Sequence, residues 1–410
     1  MKFIILKFGG TSLTSDDLRG KVVSRVIETQ QRGYVPVVVV SAIGRMGDPY
    51  ATDTLLSFAR EGGKELPPRE SDLLMHCGEI ISGVIMAATL QKTGCPAVLL
   101  TGPQAGIITS GEHNNARILK INPENILKNA QEGKVVVVTG FQGVTENGEI
   151  TTLGRGGSDT TAAALGVALN ASSVDIYTDV EGIMTADPRI VAEARPLETV
   201  TYNEICQLAR EGAKVVHPRA VEIAAQKSIP LRVKCTFSDA PGTLVTHERP
   251  YQSIDIAGDR TITGITHIQD ITQFRILTKD AADIPDFQRR IFKALALAGI
   301  SVDFINVSPE AVLFTIKNSV VSKALQVLDN MGISPEVFPD CAKVAAVGAA
   351  MTGVPGVMAR IVESLALEKV QILQSADSYT TIWVLVRKED MEKSIRALHR
   401  QFGGEMCGEM

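Results

Sequence analysis

Six short runs, each almost wholly apolar and rich in β-branched residues, constrain this chain more than any other feature. They are FIIL (3–6), VPVVVVSA (35–42), CPAVLLTG (95–102), KVVVVTGF (134–141), VDIYTD (174–179) and IPLRV (229–233). Strands apolar on both faces are strands covered on both faces, and longer helical segments separate them. The first 245 or so residues therefore predict an α/β domain, a mostly parallel sheet sandwiched by helices. Many of the runs end in small or polar residues: GGTS, SAIG, TG, TG and TDVEG. Ligands collect beyond the carboxyl ends of strands in open α/β sheets, so these loops are expected to converge on one crevice.

A polar, Pro- and Gly-interrupted stretch at 241–262 marks a boundary, and an internal repeat follows it. A shift of 70 positions lays PDFQRRIFKALALAGISVDF, from Pro285, over PGVMARIVESLALEKVQILQ, from Pro355, without a gap. The same shift aligns AVLFTIK (311–317) with TIWVLVR (381–387). Matching strands downstream of matching helices indicate two copies of a small α+β unit, each strand, helix, strand, strand, helix with room for a final strand. The expected domains are 1–245, 246–340 (linker and first copy) and 341–410 (second copy).

At 410 residues, 45% hydrophobic and 21% charged with net charge −5, the chain has material for several cores and no basic field to hold nucleic acid. Its six cysteines stand singly, without the spacing of a zinc site or a disulfide framework. The opening apolar run is too short for a signal peptide and no window is expected to reach the length of a membrane span, so a cytoplasmic protein is expected.

In KFGGTS, Lys7 ends the first strand, Gly9 and Gly10 bare the backbone, and Thr11 and Ser12 add hydroxyls. That suits phosphate oxygens, although the lysine precedes the glycines and the loop is no Walker A. A plain β-turn with a solvated lysine fits equally. TTLGRGGSDTTAAALGVAL runs from loop into helix: Arg155 is a planar fork held between glycines, suited to a carboxylate or phosphate. Ser158 and Asp159 suit the helix start, Asp159 either as an N-cap or as a functional carboxylate. The third glycine of a dinucleotide fingerprint is missing there, which excludes that cofactor class.

Thr178 and Asp179, followed by Asp187 and Arg189, are groups able to orient a nucleotide and hydrated Mg²⁺, or simply turn residues. Lys214 precedes a Pro-initiated helix, and His217 is read as structural or solvent-facing. Glu79, within the helical pattern LLMHCGEIISGVIMAATL, lies either on a solvated stripe or in a pocket for a cation.

Taken in order, KFGGTS, SAxG, CGExxS, TLGRGGSDTTA, YTDVEGIMTADPR and GAKVVHPRA resemble the monofunctional aspartokinases of the amino acid kinase family. The terminal repeat is similar to paired, ferredoxin-like ACT domains, and GDPYATDTLL and ILQSADSYTTIWVLV resemble the diaminopimelate-sensitive isozyme of Gram-positive spore-formers. The resemblance implies transfer of a phosphoryl group from MgATP to the side chain of L-aspartate, giving 4-phospho-L-aspartate.

By the same resemblance Lys7 and Asp159 are catalytic, and Ser41, Thr52, Glu79 and Arg155 bind aspartate. Lys7, Gly9, Gly10, Ser12, Thr178, Asp179, Asp187, Arg189 and Lys214 bind ATP, with no protein-held metal. Met184 stands where an aromatic residue is common in the family. Asp303, Asn306, Val354 and Pro355 are implied to contact an amino-acid effector: diaminopimelate, with lysine or threonine as alternatives. The ACT pair implies a homodimer. Kinases of the same family acting on other acceptors lack such a tail, and the reading from another class is a catalytically silent amino-acid sensor.

Overall fold

The computed structural model describes residues 1–60, 66–213, 215–247, 262–278, 282–349, 351 and 354–407. They form two compact units: the described residues of 1–184, 196–210 and 214–254 in the first, and those of 185–195, 211–213 and 255–410 in the second.

The first unit is built on an eight-stranded sheet. From edge to edge its strands are Thr199–Thr201, Thr243–Thr246, Leu231–Cys235, Ser173–Thr178, Phe3–Phe8, Val35–Val40, Val135–Thr139 and Ala97–Leu100. All six apolar runs supply strands of this sheet. Every neighbouring pair is parallel except Leu231–Cys235 with Thr243–Thr246. Phe3–Phe8 lies centrally, with Lys7 level with Val39 on one side and Ile176 on the other.

On one face the helices Asp16–Gln31 and Pro68–Lys92 bury Val22, Val26, Met86 and Leu90 against Leu6, Phe8, Val38 and Val137. The helix Gly157–Ala168 approaches the sheet closely because it is made of small residues: a Cβ on Gly166 would come within 2.4 Å of Val174. A second sheet, Ile118–Ile121, Ile107–Thr109, Gln142–Val144 and Ile150–Thr152, has no counterpart among the sequence expectations.

The expectation that no window reaches membrane-span length requires correction. Pro68–Lys92 is long and apolar enough to cross a membrane by length and composition alone. Its buried face nonetheless carries Asp72 and Glu79 beside Met75, Met86 and Leu90, the mixture of a core helix that also serves a site.

The second unit carries a six-stranded antiparallel sheet, ordered Asp303–Val307, Ala311–Lys317, Gly264–Leu277, Glu336–Val347, Thr381–Arg387 and Gln374–Asp377. Its two central strands are long, and each serves both copies of the repeat. Phe274, Ile276 and Val337 pack with the helices Ile284–Leu297 and Val321–Asp329. Ile265, Val344 and Ala346 pack with Val357–Leu367 and Met391–Cys407.

The first half of Gly264–Leu277 thus belongs to the core of the second copy, and the proposed division at 340 falls inside a continuous strand. An irregularity between Ile268 and Ile271 separates the two halves. Among the described side chains Cys77, Cys95, Cys206, Cys235 and Cys341 are free thiols.

Candidate functional site

Four central strands of the first unit end on one side of the sheet, and a cleft of about 830 Å³ opens there. Lys7, Gly10, Ser41, Thr52, Glu79, Arg155 and Asp159 all line it. Lys7 takes its place by strand register, since its apolar neighbours Leu6 and Phe8 are fully buried while its own chain runs out to the carboxyl end. Gly10 is required: a Cβ there would lie 2.1 Å from the Ala42 carbonyl oxygen.

The Lys7 ammonium is 2.7 Å from Asp159 Oδ1, with side-chain exposures of 13% and 11%. The N-cap reading of Asp159 is corrected by this contact. Gly156 occupies the cap position in the left-handed region, with φ 67°, and no side chain caps the helix, so the Asp159 carboxylate is free to meet Lys7. Gly156 also presses on the ring of His217, which a Cβ would approach to 2.2 Å. His217 caps the helix Pro218–Ala225 through Nδ1, which accepts from the Arg219 N–H, and burial holds its imidazole below the usual range. Its structural reading stands on that geometry.

Glu79 is 2% exposed and reaches the cleft with an unusual imbalance. Oε1 accepts from the Ala42 N–H at 3.1 Å, while Oε2 has no hydrogen-bond partner among the described residues. Burial pushes the carboxyl up to about 8, offset in part by the Ala42 bond. Of the two readings of Glu79, the solvated stripe is excluded. An unpartnered buried carboxylate beside a cleft is complementary to a cation.

Arg155 is exposed in the loop before Gly157–Ala168. Phe141 and Asn114, both in the left-handed region (φ 71° and 64°), also line the cleft and were missed by the sequence reading. A bulky residue at positive φ is costly. Here Phe141 is held by its N–H donating to Thr161 Oγ1 at 3.0 Å and its carbonyl accepting from Leu153 N–H at 2.9 Å. Arg45, likewise missed, lines the cleft and donates to Asp179 Oδ2 at 2.7 Å. Its partner lies 134 positions away, which no local pattern discloses.

The remaining expected nucleotide residues are distributed differently. Gly9 follows Lys7 and donates its N–H to the Tyr177 carbonyl at 3.4 Å. The Ser12 hydroxyl is buried against Thr236 Oγ1 at 2.8 Å, so it braces strand ends where an open phosphate donor was expected. Thr178 donates to Asp179 Oδ1 at 3.2 Å. Asp187 and Arg189 fall in the second unit and pair with each other at 2.7 Å, which holds the Asp187 carboxyl below its ordinary range. Lys214 lies outside the described residues.

In the second unit Asp303 Oδ2 is 2.7 Å from the ammonium of Lys343, which also meets Glu211 Oε2 at 3.0 Å and lies over the Trp383 ring. Burial alone would lower the Lys343 ammonium, but the two carboxylates more than offset it and hold it above the usual range. Asn306, Val354 and Pro355 are exposed, the last two in the loop before Val357–Leu367.

A helix-covered, mostly parallel sheet with an ion-paired lysine and further cationic groups at its carboxyl edge defines the class. The chain belongs to the amino acid kinase family, whose model matches residues 2–235, and an ACT domain model matches residues 336–400. Aspartokinase 1 of Bacillus subtilis (strain 168) is 50% identical over 402 residues, spanning 98% of this chain and 99% of that protein. The crystal structure of E. coli aspartokinase III in complex with aspartate and ADP (R-state) superposes with TM-score 0.80 at 25% identity, over 98% of this chain and 99% of that one. The same enzyme in complex with lysine and aspartate (T-state) gives 0.77 at 25% identity, over 98% and 100%. Within the family the chain stands among the aspartokinases with C-terminal ACT domains.

Proposed function

We propose that the protein transfers the γ-phosphoryl group of ATP to the side-chain carboxylate of L-aspartate, releasing ADP and 4-phospho-L-aspartate. This is the first step of the aspartate-family pathway to diaminopimelate, lysine, threonine and methionine. The observation that carries the reading is the unpartnered Glu79 oxygen in the same cleft as Arg155 and the Lys7–Asp159 pair. A cation acceptor and a forked cation donor are what an α-amino acid needs.

In this reading Glu79 takes the substrate ammonium and Arg155 its α-carboxylate, with Ser41 and Thr52 beside them. Lys7 offsets negative charge on the transferring phosphoryl group, and Asp159 holds Lys7 in place. No general base is required, because a carboxylate with a pKa near 4 is already ionised at neutral pH. Catalysis is then positioning and electrostatics.

Gly9 and Gly10 leave room for the phosphates, and Thr178, Asp179 and Lys214 are assigned to the nucleotide. Mg²⁺ arrives on ATP and neutralises phosphate charge when bound. Asp179, half-exposed, offers the hard oxygen that suits the hydrated ion.

The ACT domains carry feedback by an amino-acid end product, with diaminopimelate as the first choice and lysine or threonine next. Asp303 and Asn306 contact it in the first copy and Val354 and Pro355 in the second. A homodimer through the ACT sheet is supported by the strand Asp303–Val307, an edge strand on which Ile305 and Val307 are 48% and 50% exposed. A cytoplasmic location suits a pathway enzyme with a free thiol, Cys77, at its surface.

The test is ADP release by purified protein with MgATP and L-aspartate, repeated with each candidate effector. Aspartate-dependent ADP that one effector suppresses supports the reading. Amino-acid binding without turnover would replace it with the sensor.

A further inference from the structure

Asp72 has 0% exposure, and nothing in the proposed chemistry uses it. It sits on Pro68–Lys92 seven residues before Glu79, two helical turns away on the same face. Its carboxylate is fully engaged. The Asn114 N–H donates to both oxygens at 3.1 Å, His113 Nδ1 lies 2.8 Å from Oδ2, and Thr152 Oγ1 donates to Oδ1.

Each of these partners belongs to a segment that reaches the cleft. Asn114 lines it directly in its left-handed conformation. Its carbonyl oxygen and Asn115 crowd Gly154, the residue before Arg155. The two segments are joined further by Ala116 N–H to Thr152 O at 2.9 Å, and by Arg219, which donates to the carbonyls of Leu153 at 3.2 Å and Ala116 at 2.9 Å. Asp72 therefore ties the helix that carries Glu79 to the loops that carry Asn114 and Arg155.

We propose that Asp72 is a positioning residue for the amino-acid substrate, fixing the span between the Glu79 carboxylate and the Arg155 guanidinium. The inference rests on the assignment of those two groups to aspartate. A carboxylate is suited to the task because it accepts from several donors at once. In Asp72→Asn one of the two oxygens that share the Asn114 N–H becomes an NH₂ group, which cannot accept from it.

The experiment uses the full-length protein and compares Asp72→Asn, His113→Ala, Arg155→Ala and the Asp72→Asn/Arg155→Ala pair, with KM for L-aspartate, KM for ATP, kcat and a thermal melt for each. A displacement of about 1 Å at a recognition group is enough to cost tenfold or more. Asp72→Asn should therefore raise KM for aspartate about tenfold while KM for ATP stays within about threefold. His113→Ala, at a partly exposed position, should move the same constant in the same direction by less. The double variant should lose less than the product of the single losses, because aiming Arg155 has no value once it is gone.

Equal effects on both KM values, or strictly multiplicative losses, would make Asp72 a purely structural residue and overturn the proposal. If Asp72→Asn yields no folded protein, His113→Ala decides, and an unchanged aspartate KM overturns it. An aspartate KM unmoved by Arg155→Ala would instead remove the substrate assignment beneath the inference, and the inference with it.

Discussion

The buried carboxyl of Glu79 makes aspartate binding a proton-coupled event whose size follows from its environment. With its pKa raised to about 8 by burial, Glu79 is mostly protonated at neutral pH in the free enzyme, while pairing with the substrate ammonium requires the ionised form. The apparent dissociation constant is then weakened by the factor 1 + 10^(pKa − pH). That is about 100-fold at pH 6, about elevenfold at pH 7 and about twofold at pH 8. Binding at pH 7 should release about 0.9 proton.

Calorimetric titration of aspartate in two buffers of different ionisation enthalpy reads both quantities, and Glu79→Gln should bind weakly with no such pH dependence. A flat dissociation constant from pH 6 to 8, with no proton released, would refute the assignment of Glu79 to the ammonium. The same shift sets the sign for stability. A carboxyl that titrates at 4.5 when unfolded and at about 8 when folded holds its proton more tightly in the native state. Its ionisation therefore costs stability progressively as pH rises from about 4.5 to about 8, with no further loss above that. Glu79→Gln should accordingly gain melting temperature relative to the parent across that window while losing substrate binding.

Gly156→Ala meets both a left-handed backbone, worth about 1–2 kcal/mol, and the His217 ring, so urea unfolding should show at least that loss together with a raised KM for aspartate. Asp303→Asn leaves Lys343 with Glu211 as its remaining carboxylate and removes the charge of a residue proposed to contact the effector. The midpoint of feedback inhibition, normalised to uninhibited activity, should rise about tenfold or more, a coupling change of about 1.4 kcal/mol.

What was legible in the sequence was legible for local reasons. Runs such as Val35–Val40 and Val135–Thr139 carry their burial in their composition, and Lys7, Arg155 and Glu79 stand out as charged groups in glycine-rich or apolar company. The small sheet that includes Ile107–Thr109 and Gln142–Val144 has strands too short for any alternation to show.

Contacts between distant segments were equally hidden. Asp72 meets Asn114 across 42 positions and Arg45 meets Asp179 across 134. The 70-residue repeat announced two copies of one unit, but a repeat does not say which chain segment completes each sheet. That the residues around Ile265 complete the second copy follows from the shared pairing of two long strands. Asp159 suits a helix cap and a functional carboxylate alike by sequence, and which of the two it serves depends on how closely the small-residue helix Gly157–Ala168 lies on the sheet, where the carboxylate meets Lys7.

Passage of a phosphoryl group to aspartate at Lys7 leaves an acyl phosphate that can be caught chemically. Hydroxylamine traps an acyl phosphate as its hydroxamate, so hydroxamate yield with MgATP and L-aspartate should be compared for the parent protein and Lys7→Gln. Glutamine can still donate a hydrogen bond to Asp159 but carries no charge, which limits the cost of leaving that carboxylate buried and unpaired. Aspartate-dependent hydroxamate matching ADP is expected in the parent, and a rate about 10³-fold lower in a folded Lys7→Gln protein. Hydroxamate formed by Lys7→Gln at near the parental rate would rule out phosphoryl transfer at Lys7.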